Sequence, residues 1–162
     1  MKTLLLLIIL FFPFCSPAQE VKKINSEGIQ RLIQESDHPL VIGFWATWCE
    51  PCLHEIPWLQ EAVAKDSSGK TELILLSFDL PTSFPNKITN FIKSKGYKAS
   101  FYWLEQPVPS SFFPQINTRW EGNIPSSLWI NNQTGYKRFY GRQITELQAL
   151  REVGELIIRP KA

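Results

Sequence analysis

The chain has 162 residues, 44% of them hydrophobic, which is enough to bury a proper core in one domain. Its 17 basic and 15 acidic residues form no basic run, and no repeat or low-complexity stretch appears, which argues against a nucleic-acid partner and against a solenoid. Three cysteines are too few for a disulfide-stapled scaffold.

The N-terminus opens Met1-Lys2 and continues as an apolar run from Leu4 to Phe14. That run is short for a bilayer span, and Ser16-Pro17-Ala18 follows it with the small residues of a cleavage site. Residues 1–18 therefore read as a secretory signal cut near Ala18, leaving residues 19–162 in the periplasm or another extracytoplasmic space. Two alternatives stay open: an uncleaved membrane anchor, and a lipidated Cys15. Without the leader the charge is about +1, from 16 basic and 15 acidic residues.

Asn25-Ser26 caps a predicted helix over 26–36, with Ile29, Leu32 and Ile33 at helical spacing. "PLVIGFWA", 39–46, is a short run of strand formers that suits a strand buried on both faces. A helix is predicted from Cys49, with Leu53, Ile56, Leu59 and Val63 inward, a kink at Pro57 and an end in the loop 65–70. "TELILLSF", 71–78, is a second buried strand. Residues 86–95 read as a helix stopped by Gly96, and 100–104 as a short strand. A Pro- and Ser-rich loop over 106–114 follows. "SSLWI" and "YKRFYG" flank residues 131–135 as a hairpin, and a last helix runs from 143 to 158 with Ile144, Leu147, Leu150, Val153 and Ile157 on one face. This alternation predicts an α/β fold: a central mixed sheet, parallel at its core, with helices on both faces.

The chemistry lies in "GFWATWCEPCLHEIP", residues 43–57. A structural zinc site needs four ligands, and beyond Cys49 and Cys52 only His38 and His54 are available; no metal is expected. As a static staple so short a loop removes roughly 2 kcal/mol of chain freedom from the unfolded state. The third reading is redox exchange. A strand ending at Trp45 delivers Cys49 to a helix N-terminus, where unpaired amides and the helix dipole favour a thiolate. Cys52 lies one turn on, and Pro51 suits the first turn, where its missing N–H is not needed. Exchange requires the first sulfur exposed and the second sheltered.

"FWATWCEPC" with Pro57 five residues on resembles the thioredoxin-like oxidoreductases, and within them the extracytoplasmic TlpA/ResA-like group, which carries Cys-Glu-Pro-Cys and a further glutamate, here Glu50 and Glu55. The resemblance implies a three-layer α/β/α sandwich with an insertion placed at 82–120. It also implies a redox-active Cys49–Cys52 disulfide in place of any cofactor, and a cis bond at Ile124–Pro125 in a loop that pairs with an extended substrate segment. In this pattern Trp48 covers the pair and Trp45 packs beneath it. Cytosolic thioredoxins keep a buried aspartate where this chain has Gly43, so Glu55, one turn from Cys52, is the expected proton acceptor. The bland readings are an exposed helix carboxylate for Glu55, a solvated position for His54, and core filling for Phe101, Tyr102, Trp103, Phe112, Phe113 and Trp120, which could alternatively face substrate.

Glu50 beside Cys49 disfavours the thiolate and points to a reductant, with a potential below roughly −200 mV against about −120 mV for strong oxidants of this kind. The resemblance then implies a membrane thiol carrier as electron donor, a disulfide-bearing protein as substrate, with apocytochrome c as one such target, and a monomer. Two other functions compete. A thiol peroxidase of peroxiredoxin type wants a threonine where Ala46 stands, and a non-enzymatic binding or chaperone module would keep the pair as a remnant.

Overall fold

The computed structural model describes residues 20–158; the expected leader, its cut near Ala18 and Cys15 lie outside them. In chain order the elements are β1 (Lys22–Ile24), α1 (Ser26–Glu35), β2 (Leu40–Trp45), α2 (Glu50–Ala64), β3 (Glu72–Ser77), α3 (Asn86–Lys95), β4 (Ser100–Leu104), α4 (Phe112–Ile116), β5 (Ser126–Asn131), β6 (Tyr136–Tyr140) and α5 (Glu146–Ile157). They build one six-stranded sheet in the order β1-β4-β3-β2-β5-β6. The first four of these are parallel, and the β5–β6 hairpin is antiparallel. All six residues of β2 are buried, as a central strand covered on both faces requires.

Side-chain alternation along the strands sorts the core into two layers. Val41, Trp45, Leu73, Leu75 and Trp129 pack under α2, α3 and α5. Leu40, Ile42, Phe44, Ile74 and Leu76 pack under α1 and α4. The expected α/β/α layering is present.

Local chemistry fixes the ends. The Asn25 side chain accepts the Gly28 N–H at 2.8 Å, and Thr145 and Gln148 form a reciprocal capping box at the start of α5. Tyr136 and Tyr140 of β6 donate to the buried Glu152 carboxylate at 2.5 and 2.6 Å, tying the hairpin to α5.

Three expectations are corrected, beside the course of the second helix. α2 keeps Pro57 inside the helix, which runs from Glu50 to Ala64, and the carbonyl of Leu53, which Pro57 leaves without its helical donor, accepts the Tyr97 hydroxyl at 3.4 Å. Leu53 and Val63 are only half-buried, and Cys52, Glu55 and Ala62 take inner positions with Ile56 and Leu59. Leu147, expected inward, is 77% exposed, because α5 begins at Glu146 and turns Ala149, Glu152, Val153 and Leu156 to the core. Three short elements went unread: β1, whose Lys22-Lys23-Ile24 pairs along the β4 edge, a single 3-10 turn at Pro81–Ser83, and α4, which begins within the expected Pro- and Ser-rich loop and runs past it. Among the described residues no helix is long and apolar enough to cross a membrane.

Candidate functional site

The parallel strands end on the same side of the sheet, and the site forms there. After Trp45 the chain makes a turn closed by Cys49 N–H donating to the Ala46 carbonyl at 3.1 Å. Cys49 is the N-cap of α2, with Glu50 and Pro51 in the first turn, and the Leu53 N–H donates back to the Cys49 carbonyl. Cys49 and Cys52 are joined as a disulfide, with S–S 2.02 Å and Cα atoms 5.3 Å apart. Cys49 retains 5% of its surface and Cys52 1%. The expected order of exposure holds, but the first sulfur is far less open than exchange chemistry suggested. Trp48, expected over the pair, leaves 66% of its surface in solvent. Trp45 is buried edge-on to Tyr97, and its indole N–H has no partner among the described residues.

Behind the disulfide lies a crevice with room for about one water, lined by Gly43, Trp45, Cys52, Glu55, Leu59 and Pro125 among others. Glu55 is 2% exposed, so it is not the solvated helix carboxylate of the bland reading. Burial pushes its carboxyl up to about 7, against the opposing pull of the Ile144 N–H, which donates to it at 3.2 Å, and of Arg142. At Gly43, the thioredoxin aspartate's place, a Cβ would lie 3.0 Å from Leu75 Cδ2 and 3.1 Å from Leu59 Cδ1, so a side chain there would have to displace both leucine ends by a few tenths of an ångström. The buried carboxyl that lines the crevice comes from α2, as Glu55.

The Ile124–Pro125 bond is cis, as are Phe84–Pro85 and Gln106–Pro107. Its loop is braced from the insertion: the Asn123 carbonyl accepts Trp120 Nε1–H at 2.9 Å and Ser126 Oγ–H at 2.7 Å. Gly122 sits at φ +95°, and a Cβ there would come within 2.9 Å of the Phe113 ring. Two amide side chains join this loop, the segment before α5 and the start of α2. Asn123 Nδ2 donates to the Gly141 carbonyl at 2.6 Å, and Gln143 Nε2 donates to the Pro51 carbonyl at 2.9 Å.

One further expectation changes. Glu50 is largely exposed, 3.7 Å from His54 Nε2, so water screens most of its influence on Cys49. Phe101, Trp103, Phe112 and Trp120 are buried and fill the core, as the bland reading has it, and offer no substrate-facing surface. Sequence reasoning missed the contacts of Gln143 and Ile144 with α2; both stand just before α5, and only the fold brings them to Pro51 and Glu55. Among the described residues no cluster of His, Cys, Asp and Glu could hold a metal ion.

Residues 6–89 match the thioredoxin family. The chain is similar to the thiol-disulfide oxidoreductase ResA of Oceanobacillus iheyensis, 26% identical over 138 residues that cover 75% of this chain and 68% of that protein. It spans only 33% to 60% of the curated thioredoxins it matches. Among solved structures, a thiol:disulfide interchange protein of Chlorobium tepidum superposes with a TM-score of 0.61 at 19% identity, over 87% of this chain and 95% of that one. A thioredoxin-related protein of Neisseria meningitidis gives 0.58 at 20% identity, over 75% and 86%.

Proposed function

The chain belongs to the thioredoxin family, and on that footing we propose that it is an extracytoplasmic thiol–disulfide oxidoreductase that reduces protein disulfides through Cys49 and Cys52. The observation that carries this reading is the disulfide across the first turn of α2, with its second sulfur sharing a buried crevice with Glu55.

In the reduced protein the Cys49 thiolate attacks one sulfur of a substrate disulfide. A mixed disulfide forms and one substrate thiolate leaves. Cys52 then gives its proton to Glu55 and attacks the Cys49 sulfur, which expels the second substrate thiolate and regenerates the Cys49–Cys52 disulfide. An acid that titrates at about 7 is matched to taking a proton near neutral pH. The backbone beside Ile124 and Pro125 pairs with an extended segment of the substrate.

The apolar leader supports export, and export makes an outside electron source necessary; a membrane thiol carrier fills that role. The substrate is a protein disulfide, with the haem-binding cysteines of apocytochrome c one such target, and the enzyme works as a monomer. Insulin reduction driven by dithiothreitol is the direct check. Wild type is expected to accelerate it and Cys49→Ala to fall to background, and equal rates would overturn the assignment. Cys52→Ala, which cannot resolve the mixed disulfide, is expected to retain the partner covalently.

A further inference from the structure

Asp79, two residues beyond β3, is 1% exposed and forms no ion pair with a basic side chain among the described residues. Its carboxylate is an acceptor in every contact. Thr47 N–H donates at 3.0 Å, Thr47 Oγ1–H at 2.6 Å and Ser77 Oγ–H at 2.8 Å. Its own N–H donates to Ser77 Oγ at 3.1 Å, and its carbonyl accepts Trp103 Nε1–H at 2.7 Å. One residue thus joins the ends of three adjacent parallel strands, β2, β3 and β4.

The point of attachment on β2 is informative. Thr47 lies inside the turn Ala46–Cys49 that presents the reactive sulfur. Chain length alone keeps the carboxylate within roughly 12 Å of the Cys49 Cα. A buried charge at such a distance is screened far less than Glu50 is. Among the described residues, the ionisable groups beside the pair include Glu50 and His54 on the exposed face of α2, Glu55 in the crevice and, acting on Glu55, Arg142 before α5.

We propose that Asp79 is a positioning residue of the redox pair: its carboxylate pins the turn that presents Cys49, and its buried negative charge biases the pair toward the disulfide form expected of a reductant. The inference rests on the thiol–disulfide reading of the site. A negative charge nearby disfavours the thiolate, so the dithiol is held less stably and gives up its electrons more readily.

The experiment uses Asp79→Asn, which keeps the shape and removes the charge, with Asp79→Glu as the charge-restoring control. In the exchange of the disulfide with two glutathione thiols, giving the dithiol and glutathione disulfide, the Asn variant is expected to shift the equilibrium about tenfold toward dithiol, about 30 mV. In a Cys52→Ala background, where Cys49 alone reacts, the pH of half-maximal alkylation falls with Asn and recovers with Glu. Thr47→Val keeps the charge but cuts one tether; insulin reduction is expected to slow at least threefold while the Cys49 titration stays put. An Asn variant that melts lower, yet leaves both equilibrium and titration within twofold of wild type, reduces Asp79 to a structural role and overturns the proposal. Where the Asn variant does not fold, a Thr47→Val rate within twofold of wild type overturns it. A wild type that exchanges with neither glutathione nor insulin is a separate outcome, and strikes the thiol–disulfide reading itself.

Discussion

Glu55 holds two opposed demands in one side chain. Its native carboxyl keeps a proton to about pH 7, whereas in the unfolded chain it titrates near 4.5. Between those values the unfolded state binds fewer protons, so stability falls as pH rises and the loss is complete above about 7. The gap amounts to about 3 kcal/mol at most. Glu55→Gln, which can still accept the Ile144 N–H, is therefore expected to be more stable than wild type at pH 8 by up to that amount and about equal to it at pH 4. Urea unfolding of the oxidised protein at the two pH values is the measurement, and equal gains at both would show that the proton is not involved. The same variant is expected to accumulate mixed disulfide, because Cys52 loses its acceptor. Glu55 was readable from the sequence because it stands one helical turn from Cys52. Asp79 and Gln143 were not, since each gains its meaning from a partner 32 or 92 residues away.

At the scale of elements, α2 tolerates Pro57 because α3 is followed by Tyr97, whose hydroxyl replaces the donor that proline lacks. Tyr97→Phe is expected to cost about 1 kcal/mol of unfolding free energy in the parent chain. In a Pro57→Ala background the new N–H takes over the Leu53 carbonyl, and the cost should shrink toward zero. A double-mutant cycle by chemical denaturation tests this, and full additivity would mean the two residues are not coupled. The long periodic elements were legible: β2, β3, α2 and the hairpin stand within a residue or two of their expected places. Sequence shows the missing N–H of Pro57 but not the hydroxyl that takes its place at the Leu53 carbonyl. β1 and α4 were illegible for another reason. Three residues with two lysines carry no alternation, and Phe-Phe-Pro-Gln-Ile carries no helical period; the neighbouring β4 and the aromatic layer around Trp120 decide their form.

For the whole molecule, folding and redox state are linked through one cycle. If the folded protein holds its disulfide more firmly than the unfolded chain does, the oxidised form must also resist unfolding better than the reduced form. A reductant is therefore expected to show a higher urea midpoint when oxidised, and the reverse order would mark an oxidant. The layered α/β/α arrangement was legible from the alternation of strands and helices, while the closeness of three loops around the sulfur pair depends on strand order and was not. Those loops are laced together by the carboxamides of Asn123 and Gln143, groups that neither gain nor lose a proton in water. The frame of the opening should keep one outline from mild acid to mild alkali, so that any bend in a turnover-against-acidity curve speaks for the groups inside the frame and not for its shape.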